Sequence, residues 1–312
     1  MTALLNEYFG NAAPASLQWG MRMASASGLG ASLSAKAIRY QVEQMAQTFI
    51  AGASIEQALP SLSRLWKEGW GYSVDLLGEA TVSETEADRY RDRCLAALKE
   101  LGRATTLWPA MPMLEQDRFG MIPRVNLSVK LSALYSQLDP IDPEGAYRVV
   151  SGRLRLLLDE AMTLPAAITI DMEQAELKNL TLMIFMRLLS EEAYRTYPHG
   201  GIALQAYHKE AEADLNGLIQ WVRSRGTPIT VRLVKGAYWD ADTVRYRQRG
   251  WPVPLFEHKS DTDVNYERLS LTLIRHAAII RPVFGTHSLR TLAHAEAAVQ
   301  ATSVMPLTLA MG

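Results

Sequence analysis

Short runs of apolar and β-branched residues, each followed by a longer stretch with helical spacing, recur along the chain from Gly71 onward, and this alternation most constrains the fold. Runs of this kind read as parallel strands joined by crossover helices. Seven qualify as strands: Tyr72 to Leu77, Arg124 to Leu131, Ala167 to Met172, Gly201 to Tyr207, Pro228 to Val234, Pro282 to Thr286 and Ser303 to Leu309. The segments between them, such as Glu84 to Leu101 and Pro143 to Thr163, gather Leu and Ala on one helical side. Residues 69–312 are therefore expected to form one β/α domain. Residues 1–68 read instead as an α-helical arm. A helical stripe of Ile38, Val42, Met45 and Phe49 runs from Ala35 to Gly52, and a second helix opens at Ser54, whose Ser-Ile-Glu-Gln run has the form of a capping box, and continues to Gly69 across Pro60.

Nearly every expected strand ends in a polar side chain: Asp75 and Glu79, Lys130, Asp171 and Glu173, Gln205, Arg232 and Lys235, Thr286 and His287. In a parallel fold those ends lie on one side. A closed barrel gathers all of them on a single rim, whereas an open doubly wound sheet uses only the ends beside a switch point, so the pattern favours a (β/α)8-type (TIM-like) barrel.

Composition narrows the class of ligand. With 32 Lys plus Arg against 33 Asp plus Glu, the formal charge is -1, and no field of either sign draws nucleic acid or an anionic membrane. A small-molecule partner is expected. The single cysteine, Cys94, cannot form an internal disulfide and fits a reducing compartment. The opening Met-Thr-Ala-Leu-Leu-Asn lacks the basic flank of a signal peptide and no long apolar run follows, which points to the cytoplasm. Neither a Walker A sequence, HExxH, paired CxxC nor GxGxxG occurs, so dinucleotide-fold and zinc-protease readings are weak.

The densest cluster of chemistry is Val231-Arg-Leu-Val-Lys-Gly-Ala-Tyr-Trp-Asp240, where one strand end presents two cations, a glycine and two aromatic rings. That set suits a large planar anionic ligand: Arg232 and Lys235 neutralise charge, Gly236 permits close backbone approach, and Tyr238 and Trp239 offer stacking faces. Asp171 and Glu173 stand two apart on an extended strand end and so face one side. They could bind a metal, act as acid and base, or balance Lys130 and Arg232; an ion-pair network that orients Lys130 for a substrate carboxylate is favoured. A rim histidine, His287, follows Thr286 at another strand end.

Taken together, the strings Tyr72-Ser-Val-Asp-Leu-Leu-Gly-Glu79, Leu127-Ser-Val-Lys130, Ile168-Thr-Ile-Asp171-Met-Glu173, Leu204-Gln205-Ala-Tyr207, the Arg232 to Asp240 run and Thr286-His287 resemble the proline dehydrogenase family, including the catalytic domain of the bifunctional proline-utilisation enzymes. The resemblance implies an FAD-bearing barrel that oxidises L-proline to Δ1-pyrroline-5-carboxylate by hydride transfer to flavin N5 and passes the electrons to a quinone. It further implies that Arg232 lies near flavin N5 and Gln205 near the pyrimidine side, and that Lys235, Gly236, Ala237, Trp239, Thr286 and His287, with Lys259 and Thr262, hold the rest of FAD. Lys130 would meet the proline carboxylate with Asp171 and Asp75 beside it, Leu233 and Tyr238 would pack on the ring, and Glu79 would form the acidic half of a gate. A peripheral membrane contact for quinone reduction, and an aldehyde dehydrogenase as fused or separate partner, belong to the same implication.

Where the family carries an Arg-Arg-x-x-Glu pattern in its last βα unit, no counterpart occurs before Gly312, so the barrel is expected to stop after its seventh strand. Two other functions follow from the residues: a metal-dependent barrel hydrolase using Asp171, Glu173, Asp263 and His287, and a flavin-binding remnant that has lost its substrate clamp.

Overall fold

The computed structural model describes residues 50–78, 80–302 and the backbone of 308–310. Two compact units divide the chain, Met1–Arg64 and Leu65–Gly312. The expected helix from Ala35 lies largely outside the described residues, as does Glu79. Helix α1, Ile55–Lys67, starts where the capping pattern placed it: Ser54 Oγ accepts from Gln57 N at 3.3 Å, and Gln57 Oε1 accepts from Ala53 N at 3.1 Å. Pro60 sits inside it.

Seven strands of the second unit form one all-parallel sheet in sequence order: β1 Val74–Asp75, β4 Val125–Val129, β5 Ala166–Ile170, β6 Gly200–Gln205, β7 Ile229–Val234, β8 Ile280–Gly285 and β9 Thr308–Ala310. Strands β1 and β9 are its edges. Strands β2 Gln116–Asp117 and β3 Gly120–Met121 form a separate antiparallel hairpin that the periodicity did not foresee. Every connection between neighbouring strands of the sheet carries at least one helix: α2 Glu84–Thr105 and the short α3 Pro112–Glu115 before β4, then α4 Pro143–Thr163, α5 Lys178–Leu188 and α6 Ala211–Arg225, both α7 Trp239–Gln248 and α8 Lys259–Arg275 before β8, and α9 Leu289–Thr302.

Local sequence starts and stops these helices. Ser83 caps α2 by accepting from Glu86 N, Asp142 caps α4 by accepting from Gly145 N with Pro143 at the first turn, and Gly226, at φ 77°, ends α6 by donating to Val222 O. Helix α2 also buries Cys94, whose thiol burial pushes up to about 12.

The sheet curls into the wall of a barrel. Strands β7 and β4 are three places apart in the sheet, about 14 Å if it were flat, which is farther than an arginine side chain reaches. Yet Arg232 Nη1 donates to Ser128 Oγ at 3.0 Å. Strand alternation separates the two faces: Ile229, Val231 and Leu233 are fully buried, whereas Thr230, Arg232 and Val234 keep part of their surface and line the lumen. Deeper in the lumen, Thr169 and Ser73 both donate to Asn126 Oδ1. At the opposite end from the strand tips, Arg281 at the start of β8 donates to Asp117 of the hairpin and to Pro198 O, and its guanidinium lies 4.8 Å from the Phe119 ring centroid, which closes the floor.

Candidate active site

The carboxyl ends of β1, β4, β5 and β7 bring four charged side chains into a row. Lys130 Nζ lies 2.6 Å from Asp75 Oδ2 and 3.0 Å from Asp171 Oδ2, and Asp171 Oδ1 in turn accepts from Arg232 Nη2. Signs alternate along Asp75, Lys130, Asp171 and Arg232, so the row is neutral. Lys130 is only 7% exposed, and although burial opposes its charge, Asp171 and Asp75 push its ammonium above the ordinary lysine value. Desolvation raises the Asp75 carboxyl despite its lysine partner. An ammonium has three N–H, of which two point at these acids, so the third can be offered to an anion in the lumen.

Beside the row, at and after the ends of β4, β5 and β6, lies a set of buried polar contacts. Glu173, 1% exposed, accepts from Ser132 N at 3.0 Å through one carboxylate oxygen and from Ser132 Oγ through the other. Gln205 Nε2 donates to Met172 O at 3.2 Å and Glu173 O at 3.3 Å. Its Oε1 must then be the acceptor for His208 Nε2 at 3.2 Å, which fixes the imidazole as the Nε2–H tautomer. Burial pulls the His208 value down to about 3, with Lys178 adding to the effect, so the ring is neutral.

The end of β7 is more open. Lys235 and Lys259 both pair with Asp263, which leaves one positive charge in excess. Gly236 has φ 127°, and a Cβ there would stand 2.5 Å from the Tyr207 ring. Trp239 Nε1 donates to Phe256 O at 2.8 Å, and Asn265 of α8 ties to Ala206 O. Thr262 and Thr286 are buried, whereas Ala237 and His287 are exposed. Tyr238 is partly buried at the cap of α7.

Of the residues expected from sequence, the structure brings together Asp75, Lys130, Asp171 and Arg232, and gathers Lys235, Gly236, Trp239, Lys259 and Thr262 around the β7 and α8 ends. Leu233, expected against a substrate ring, is instead fully buried on the other face of β7, because neighbours on a strand point opposite ways and Arg232 faces the lumen. Gln205, expected beside a flavin, has its amide nitrogen committed to the β5 end. The hydrolase quartet is not assembled: Asp171 is held by two cations, Glu173 by Ser132, and Asp263 by two lysines. Among the described residues no three His, Cys, Asp or Glu side chains gather as a metal site. Ser128 and Ser132 were missed, though Asn126, Ser128 and Lys130 recur at period two and so announce one lumen-facing row.

The family model described as "Proline dehydrogenase" matches residues 58–311, and one described as "Proline utilization A N-terminal domain" matches residues 1–49. The crystal structure of proline utilization A from Bdellovibrio bacteriovorus, inactivated by N-propargylglycine, is 38% identical with a TM-score of 0.86, over 89% of this chain and 29% of that one. Bifunctional protein PutA of Salmonella typhimurium is 28% identical over 85% of this chain and 19% of its own length. Proline dehydrogenase 1 of Bacillus subtilis subsp. natto is 27% identical over 72% of this chain and 59% of its own length. The chain thus spans about a fifth of the bifunctional relative. A match that runs through the whole described barrel, on a wall whose rim holds the charge row above, shows that the chain belongs to the proline dehydrogenase family.

Proposed function

We propose that this chain oxidises L-proline to Δ1-pyrroline-5-carboxylate with FAD as the bound oxidant. The observation that carries the reading is the neutral row of Asp75, Lys130, Asp171 and Arg232 facing one lumen. The residues present fit a flavin: the inward row of β7 keeps accessible surface, Arg232 offers a cation inside it, and the excess charge of Lys235 and Lys259 over Asp263 suits a phosphate. Ala237, Thr286 and His287, on the loops after β7 and β8, and Trp239, at the start of α7, would border it, with Gln205 at the end of β6. When bound, FAD supplies the acceptor for the hydride leaving C5 of proline.

The chain's own part is binding and electrostatics. Lys130 directs its remaining N–H to the substrate carboxylate, and Asp75 and Asp171 hold that ammonium charged and aimed. Asp171 also fixes the Arg232 guanidinium, whose positive charge stabilises negative charge arising in the lumen on hydride transfer. The amine proton leaves to solvent, since among the described residues no dedicated base faces the row. Tyr238 packs at the rim, and the family resemblance assigns Glu79 the acidic half of a gate.

The product opens in water to an aldehyde, so an aldehyde dehydrogenase is the fitting consumer, and a membrane quinone the fitting electron acceptor. Among the described residues no helix is long and apolar enough to cross a membrane, so such contact would be peripheral. Titrating the chain with FAD should yield a bound-flavin spectrum that proline bleaches, and R232M should bind flavin without bleaching. A chain that never takes up FAD would refute the proposal.

A further inference from the structure

The loop between β1 and α2 is fastened at both ends to one short segment, the tip of β4. At its start, Asp75 pairs with Lys130 at 2.6 Å. Toward its end, Ala80 N donates to Ser132 Oγ at 3.0 Å, while Thr81 N and Thr81 Oγ1 each donate to Ser132 O at 3.2 Å. Ala80 is held at φ 47°, a left-handed conformation that an alanine adopts only where its surroundings impose it. Leu77 and Val82, within the same loop, are 65% and 81% exposed, so these two side chains do not hold the loop in place.

Ser132 has one hydroxyl hydrogen, and Glu173 takes it. With that hydrogen committed to the carboxylate, Ser132 Oγ presents only lone pairs, and so it must act as the acceptor for Ala80 N. The second oxygen of Glu173 pins the backbone of the same serine. We infer that Glu173 is a positioning residue: through Ser132 it sets the direction of one hydroxyl and thereby seats the β1–α2 loop beside Lys130, where the substrate carboxylate is bound. This rests on the functional reading above, in which Lys130 meets that carboxylate. A buried acid two residues beyond Asp171 thus works on the neighbouring loop, while Asp171 works on the ion row.

The test uses the full chain and hydrogen exchange followed by mass spectrometry, on peptides carrying Ala80 and Thr81. Exchange there should speed up on the order of tenfold in S132A and in E173A, as expected when a hydrogen bond holding a local structure is lost. E173Q, which keeps one carbonyl acceptor for Ser132, should fall between these and wild type. Peptides from β6 should exchange as in wild type. In proline oxidation the same variants should raise KM while kcat stays within about twofold, the pattern of lost binding in place of lost chemistry. Unchanged exchange at Ala80 and Thr81 in S132A would overturn the inference, as would equal acceleration in β6, or a fall in kcat at constant KM. Should E173A fail to fold, S132A removes a single oxygen and reads the same contact. A wild-type chain that does not oxidise proline would sink the functional reading alone, because the exchange pattern still reports the seat of the loop.

Discussion

The β4–β5 end of the barrel and the β7–α8 end treat charge in opposite ways. At β4 and β5, Lys130 and Asp171 are nearly buried and every charge has its opposite alongside. At β7 and α8, two lysines share one acid, and Lys259 is 78% exposed. Buried charges must be matched within the protein because water is absent to stabilise them, whereas an exposed excess can wait for a ligand. The first end is organised before any ligand arrives, and the second is left to be completed by an anion.

The sharpest way to break this contrast is D171A, which strips the partly buried Arg232 of its acid and leaves the buried Lys130 with Asp75 alone. Loss of about 3 to 5 kcal/mol is expected, seen as a lower urea midpoint. Next comes G236A, where the positive φ and the 2.5 Å approach to Tyr207 oppose a side chain; a loss of about 2 kcal/mol should appear in the same assay.

A third prediction concerns the β6 end that lies between the two, with Gln205 and His208. The His208 value in the folded chain lies well below its unfolded value, at about 3. Its neutral form is therefore favoured by folding, and this contribution is complete above the unfolded value near 6.5 and lost as pH falls below it. Denaturation at pH 6.5 and at pH 5 should differ by about 2 kcal/mol from this one residue, and H208Q should remove that part of the difference. The smallest effect is expected at the open end: D263N should change stability by less than about 1 kcal/mol but tighten the binding of inorganic pyrophosphate, measured by calorimetry. A D263N variant as unstable as D171A would erase the distinction between the ends.

Much of this was legible in the sequence for a simple reason. Strands in a parallel sheet are short, apolar and bounded by polar residues, so Arg124 to Leu131 and Pro228 to Val234 stand out, and their observed counterparts, Val125–Val129 and Ile229–Val234, begin within a residue of expectation. The charge row was legible because its members stand at or near the carboxyl ends of strands of one sheet, β1, β4, β5 and β7. The hairpin at Gln116 to Met121 was not, since two-residue strands carry no period. Leu233 was assigned through the family resemblance, although the two-residue period places it and Arg232 on opposite faces. The Glu173–Ser132 contact depends on how the turn after Lys130 folds back, and no spacing rule records that.

The row of four charges has a further consequence for how a guest arrives. Its members sum to zero, and proline, the substrate proposed above, is in solution a zwitterion that also sums to zero. Neither host nor guest projects a net field from this place, so the encounter is unsteered, and added salt should leave the association rate of proline with the β4–β5 end almost untouched.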